Sequence, residues 1–239
     1  MQCRTKCLPN QTAVRAARSA PERTLEFPEP VRPLPRRFYV PGAKVVARAL
    51  LGHFLMRRTA DGFCGGVIVE TEAYIKDDPS CHAFRGETKR NKVMWGEPGR
   101  SYVYLIYGFH FCFNAVCRPK GEAEAVLIRA IDPCAGIEFM RGRRGLMDER
   151  SLTNGPGKLC AAMAIDRAFD GVDLCDVHSP LFIAENPALR LTNRMLGPII
   201  TTTRIGISSA ADWPLRFYLD GSGSVSKRVR PLKSSRLLE

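Results

Sequence analysis

The stretch Val69-Glu70-Thr71-Glu72-Ala73-Tyr74, with Ser80-Cys81-His82 just beyond it, gathers carboxylates, a phenol, a thiol and an imidazole in one short segment. On an extended strand Glu70 and Glu72 project to one side and Thr71 to the other. Carboxylates so placed either share a solvated face or leave one group desolvated, its pKa raised toward that of a general base. Taken alone, these residues fit a solvent-facing strand end better. A second segment, Tyr102-Val103-Tyr104-Leu105-Ile106-Tyr107-Gly108-Phe109, puts Tyr102 and Tyr104 on one strand face and Tyr107 at a turn beside Gly108. Such tyrosines serve either as the amphipathic rim of a core or as a wedge and stacking wall for nucleobases.

The elements that must position these residues can be read from pattern. Ala43–Leu51 has helical spacing, with Val45, Val46, Ala49 and Leu50 on one face and Gly52 ending it. A strand begins at His53–Arg57. Phe63–Tyr74 reads as a strand covered on both faces, because its bulky residues barely alternate with polar ones. Ser101–Cys117 reads as two strands joined by a tight reversal at Gly108, and Ala125–Ile131 as another strand. Helical patterns follow at Gly136–Arg144 and Gly157–Ile165, then strands at Thr201–Ser208 and Leu215–Leu219. Hairpin pairing dominates, so the expected fold is α+β: a single domain with a curved, largely antiparallel sheet flanked by helices.

The chain has 239 residues, with 36 Lys+Arg against 24 Asp+Glu for a net charge of +12. With 45% hydrophobic residues it is neither a disordered chain nor a disulfide-dense mini-scaffold. Its basic balance suggests an anionic partner, nucleic acid ahead of a membrane surface. Most of the excess sits at the ends: residues 1–37 hold eight basic and three acidic side chains, and residues 222–239 hold five and one. Residues 1–31 accordingly read as a flexible basic arm, 32–221 as the working domain and 222–239 as a flexible basic tail. The basic run Arg85, Lys89, Arg90, Lys92 and Arg100 either approaches phosphates or is a solvated loop. Asp77 and Asp78 would repel phosphate, so their loop is expected to face away from it. Nine scattered cysteines without a C-x-x-C pair read as reduced thiols, and with four histidines they form no metal-ligand set. No run reaches transmembrane length and no signal-peptide core is present, which makes the cytoplasm the default location.

In order along the chain, VETEAY, a histidine eight residues later, YVYLIYGFHFCFN, VLIRA, NGPGKLCAAMAI and TRIGI resemble the alkyladenine (3-methyladenine) DNA glycosylase family over about Arg32–Asp220. The resemblance implies a monofunctional enzyme that flips damaged purines from double-stranded DNA and hydrolyses the N-glycosidic bond. Alkylated purines (3-methyladenine, 7-methylguanine), ethenoadenine and hypoxanthine are its implied substrates. Glu72 matches the general base that activates water for attack on C1′. Arg129 and the main-chain carbonyl of Ile205 match groups that hold this water. Tyr74 and His82 match the residues that sandwich the extruded base, Tyr104 a third wall, and Asn114 the side chain that excludes normal guanine. Tyr107 matches the wedge left in the duplex. Lys158, within GPGKL, matches a position near the DNA backbone, where Lys89 and Arg90 are also expected. No cofactor or metal is implied, a monomer suffices, and the location would be the nucleoid or the nucleus according to the source.

The chemistry is coherent with those roles. A base inside a duplex must be extruded before its glycosidic bond can be reached. A purine alkylated at N3 or N7 is cationic, so it stacks well on tyrosine faces and leaves without much acid assistance. The protein then has to supply a positioned water and a carboxylate that takes its proton. Hypoxanthine is neutral and needs a leaving-group acid, for which His82 is the available group. Phe109 and His110, beside the wedge, read as packing residues. A different reading is a non-catalytic module that binds distorted duplex, with structural glutamates. A third, a small-molecule hydrolase built on Glu72 and His82, leaves the wedge and the charge unexplained.

Overall fold

The computed structural model describes residues 31–60 and 62–229. Its elements are α1 (Ala43–Leu50), β1 (Phe54–Thr59), β2 (Gly62–Tyr74), β3 (Ser101–Ile106), β4 (His110–Cys117), β5 (Glu124–Ala135), α2 (Ile137–Arg144), α3 (Pro156–Ala162), β6 (Leu181–Ala184), α4 (Leu189–Met195), β7 (Ile199–Thr202) and β8 (Arg216–Leu219). They form one α+β domain around a curled, wholly antiparallel sheet in the order β3-β4-β5-β2-β1-β6, with β8 pairing β2 and β7. The expected arm falls almost wholly on residues 1–30, outside the described residues.

β2 organises the sheet. One of its edges runs along β5, and the other pairs first with β1, through Gly62–Val67, and then with β8, through Glu70–Glu72. The change of partner coincides with irregularities in the β2–β5 register between Gly65 and Gly66 and around Glu70. Bulges of this kind bend a strand and increase its twist. The paired glycines permit the close approach: a Cβ on Gly65 would lie 2.1 Å from the Leu55 carbonyl oxygen, and one on Gly66 2.0 Å from that of Asp132. With partners on both edges and packing on both faces, β2 is buried almost throughout. Covering of both faces was the expectation for this strand.

The register sets out the functional face. Tyr102 of β3 pairs Asn114 of β4, which pairs Leu127 of β5, which pairs Glu72 of β2, which pairs Arg216 of β8. Directly opposed residues of an antiparallel sheet point to the same face. One row across five strands therefore carries a tyrosine, an asparagine, a glutamate and an arginine. Thr71 points the other way, donating its hydroxyl hydrogen to the Ala47 carbonyl of α1 at 2.8 Å.

Several boundaries differ from expectation. In α1 the buried set is Ala43, Val46, Ala47 and Leu50, while Val45 and Ala49 face solvent. The apolar stripe starts at the small Ala43, one turn before the larger valines suggest. β5 continues to Ala135. The strand expected over Thr201–Ser208 is β7, which ends at Thr202, and residues 203–207 leave the sheet for the site. β6 and α4 were not anticipated. Residues 222–229, assigned to the tail by their charge, lie against the sheet with Ser222, Ser224 and Val225 buried. All seven cysteines among the described residues are free.

Gly66→Ala tests this arrangement, since the new methyl group meets backbone on the partner strand. Thermal or denaturant unfolding should register a loss of about 3 kcal/mol or more.

Candidate active site

A cavity of about 380 Å³ opens on the face defined by that register, a size suited to a small aromatic ligand. β3, β4 and β5 contribute Tyr102, Tyr104, Cys112, Asn114, Leu127 and Arg129 to its wall. Tyr74 closes one side, the 203–207 loop adds Ile205, and the 80–91 loop adds His82 and Arg90. Glu72 lies directly behind this wall with no exposed surface.

Three donors converge on the Glu72 carboxylate. The Ile205 N–H donates to Oε1 at 2.8 Å, the Tyr74 hydroxyl donates to Oε2 at 3.0 Å, and Arg129 Nη1 lies 3.2 Å from Oε2. Burial nevertheless holds the Glu72 pKa above the ordinary carboxylate value, against the opposing pull of Arg129 and the two hydrogen bonds. The Tyr74 phenol is pushed up strongly, first by burial and then by the Glu72 charge, so it remains a neutral donor. Burial of Arg129 opposes its charge, but Glu72 and Glu70 outweigh that and keep the guanidinium cationic.

The aromatic wall is tied together above the carboxylate. Tyr102 and Tyr104 lie 5.4 Å apart between ring centroids, and His82 lies 4.4 Å from Tyr104 at a steep angle. His82 Nδ1 is 2.9 Å from the Tyr102 hydroxyl. Burial, reinforced by Arg90, depresses the His82 pKa and favours the neutral imidazole. The loop carrying His82 is pinned by Asn91, whose side-chain amide donates to the His82 and Gly86 carbonyls at 2.8 and 3.0 Å. Asn114 donates to the Tyr102 carbonyl at 3.0 Å, which fixes its amide within the wall. His82 and Glu72 have separate partners, so they do not form an acid–base pair with each other.

Tyr107 stands at the β3–β4 reversal, 73% exposed and with φ +53°. A left-handed backbone costs a non-glycine residue roughly 1–2 kcal/mol, yet the ring gains no burial in return. Ring and strain together present an aromatic side chain at the cavity rim.

A sequence profile described as "Methylpurine-DNA glycosylase (MPG)" matches residues 37–223. The chain belongs to the methylpurine-DNA glycosylase family. Curated relatives include proteins from Carboxydothermus hydrogenoformans and Methanoculleus marisnigri, 46% and 47% identical, each match covering 82% of this chain and 99% of the relative. A relative from Rhodopseudomonas palustris is 48% identical, with 81% and 90% covered. All three are provisionally named 3-methyladenine DNA glycosylases. The protein is thus a DNA-repair hydrolase of N-glycosidic bonds.

In this methylpurine-DNA glycosylase, Glu72, Arg129, Ile205, Tyr74, His82, Tyr104, Asn114 and Tyr107 lie in or directly behind one cavity wall. Ile205 meets Glu72 through its N–H, whereas the expectation concerned its carbonyl. Of the three basic residues assigned to the DNA backbone, Arg90 lines the cavity with its guanidinium carbon 5.4 Å from the Tyr104 ring centre. Lys89 is exposed outside the cavity wall. Lys158 is exposed too, donating to the Asn154 side-chain oxygen at 2.8 Å. Phe109, expected to pack, is 70% exposed beside Tyr107, while His110 lines the cavity.

Asp78 was expected, with Asp77, on a loop turned away from phosphate by its charge, but that charge is compensated inside the protein. It is fully buried and paired with Arg204, whose guanidinium carbon lies 4.8 Å from the Tyr74 ring centre and supports that wall from behind. The Tyr102 hydroxyl and the Asn91 amide were missed because their importance comes from pairing across loops and strands. Among the described residues no group of three or more His, Cys, Asp or Glu could hold a metal ion, and no helix is long and apolar enough to cross a membrane.

Tyr107→Gly removes the ring and relieves the left-handed backbone together. The melting temperature should hold or rise, while affinity for a lesion-containing duplex falls at least about tenfold in an equilibrium binding assay, the order of loss seen when one stacked aromatic is removed.

Proposed function

We propose that this glycosylase, working as a monomer on double-stranded DNA, excises 3-methyladenine, 7-methylguanine, ethenoadenine and hypoxanthine by base flipping and leaves the strand uncut. The observation that carries the reading is the fully buried Glu72 carboxylate behind an aromatic cavity, beside a cationic arginine. Tyr74 and His82 sandwich the extruded purine, with Tyr104 as the third wall and Asn114 obstructing the 2-amino group of normal guanine. Tyr107 occupies the gap in the stack, which offsets part of the few kcal/mol that unstacking costs. Lys89, Arg90 and Lys158 approach the phosphates.

Water held by Glu72, Arg129 and the Ile205 carbonyl attacks the sugar C1′. Its oxygen forms the new C1′–O bond, its proton passes to Glu72, and the C1′–N bond breaks with its electron pair leaving on the base. The sugar carries positive charge during the displacement, and ionised Glu72 stabilises it electrostatically. A cationic alkylpurine departs as a neutral base and needs no acid. Hypoxanthine needs a proton, and His82 at the cavity is the group placed to supply it. A lyase step would need an amine nucleophile at C1′. Among the described residues no lysine lines the cavity, which supports excision without strand cleavage.

Duplex oligonucleotides carrying one 7-methylguanine, ethenoadenine or hypoxanthine should yield strand breaks at the lesion only after alkali. Intact strands with all three lesions would overturn the proposal. Glu72→Gln should lower the single-turnover rate by about a hundredfold or more while keeping affinity for damaged duplex.

The pH profile follows from the direction of the Glu72 shift. The base works only when ionised, so excision of 7-methylguanine falls as pH drops through the Glu72 pKa. Burial raises that pKa, so the acid limb should lie above the ordinary glutamate value of about 4.3. Single-turnover rates measured across acid pH check it.

A further inference from the structure

Glu70 is as buried as Glu72, yet nothing so far gives it a part in the reaction. Its carboxylate meets four donors from three distant points of the chain. Arg129 Nε lies 3.0 Å from Oε1, and Arg216 Nη1 lies 2.8 Å from the same oxygen. The Ser226 N–H donates to Oε2 at 2.7 Å, and the Ser226 hydroxyl donates to Oε1 at 2.9 Å. Ser226 Oγ is also 3.4 Å from Arg129 Nη2.

Both arginines lead onward to Glu72. Arg129 grips Glu70 through Nε and reaches Glu72 through Nη1, so one planar guanidinium spans both carboxylates. Its orientation toward Glu72 is set by what holds its other edge. Arg216 donates through Nε to the Thr203 carbonyl at 2.9 Å and through Nη1 to the Lys227 carbonyl at 2.8 Å. Thr203 begins the segment whose Ile205 N–H caps Glu72. Glu70 thus organises the arginine beside Glu72 directly, and the loop beside Glu72 through Arg216.

We propose that Glu70 is a positioning residue for base excision and that Ser226, in the C-terminal segment, is the latch that holds it in place. The inference rests on the reading of Glu72 as general base. Removing the latch leaves the cavity walls untouched but loosens the guanidinium that steadies the Glu72 carboxylate. Its effect should fall on the chemical step and leave DNA affinity alone.

The test compares full-length Ser226→Ala, Ser226→Thr and Glu70→Gln with the wild type. Single-turnover excision of 7-methylguanine is followed across pH with enzyme in excess, beside duplex affinity and melting temperature. Glu70→Gln should slow excision roughly tenfold or more, as small misplacements of catalytic groups do, with duplex affinity within about twofold of wild type. Ser226→Ala should slow excision less and move its acid limb to higher pH, because Glu72 loses part of its cationic support. Ser226→Thr keeps a hydroxyl and should restore both rate and limb. Wild-type rate and acid limb in Ser226→Ala would overturn the proposal, as would a slowing that follows melting temperature while the limb stays in place. If Glu70→Gln fails to fold, the Ser226 pair decides. An excision-competent Glu72→Gln would instead remove the general-base reading itself.

Discussion

Two carboxylates, two residues apart on one strand, have been taken out of water, and much of the structure answers that demand. An ion buried without partners costs several kcal/mol even after relaxation. Glu70 and Glu72 are matched by Arg129 and Arg216, both nearly buried, so the group is balanced in formal charge. The bulged register of β2, the docking of β8 on its second edge and the packing of residues 222–229 all serve to bring those partners in. The carboxylates are nonetheless treated differently. Glu70 receives charged and neutral donors at every turn, while Glu72 is left with a phenol, one amide and a shared guanidinium. Chemically alike groups are thus held differently, Glu70 by four donors from three points of the chain and Glu72 by three.

The aromatic side of the site follows a compatible logic. Its phenols stay protonated, with the Tyr102 pKa pushed up to about 12 by burial. His82 favours the neutral form because of burial and Arg90. No formal charge sits on these rings, although the cations Arg90 and Arg204 stand beside Tyr104 and Tyr74. Arg204 is neutralised by Asp78, which limits how far it repels a positively charged base.

The sequence exposed the parts of the site in which one strand carries several functions. β2 and the β3–β4 hairpin were legible because β-branched and aromatic residues cluster there and Gly108 marks the reversal. Glu72, Tyr74, His82, Tyr104 and Arg129 were legible because a family resemblance aligned them, whereas local pattern alone favoured exposed glutamates. What was not legible depends on pairing at long range. The burial of Asp78 needs Arg204, and the docking of 222–229 needs Glu70, which overrides the basic character that marks the segment as a tail. β6 escaped notice because four apolar residues carry no period, and α4 because its seven residues bury only Thr192.

The distance along the chain between Glu70 and its donors has a consequence for how the enzyme comes into being. Arg216 and Ser226 are made long after the strand they neutralise, and ribosomes deliver a chain from its N-terminus onward. Until they emerge, β2 carries two carboxylates with only Arg129 to pair them, and its second edge lacks β8. The charge network around Glu70 is therefore the last part of this cavity's surroundings to be synthesised, and a chain that ended before Ser226 would lack two of the four donors to that carboxylate.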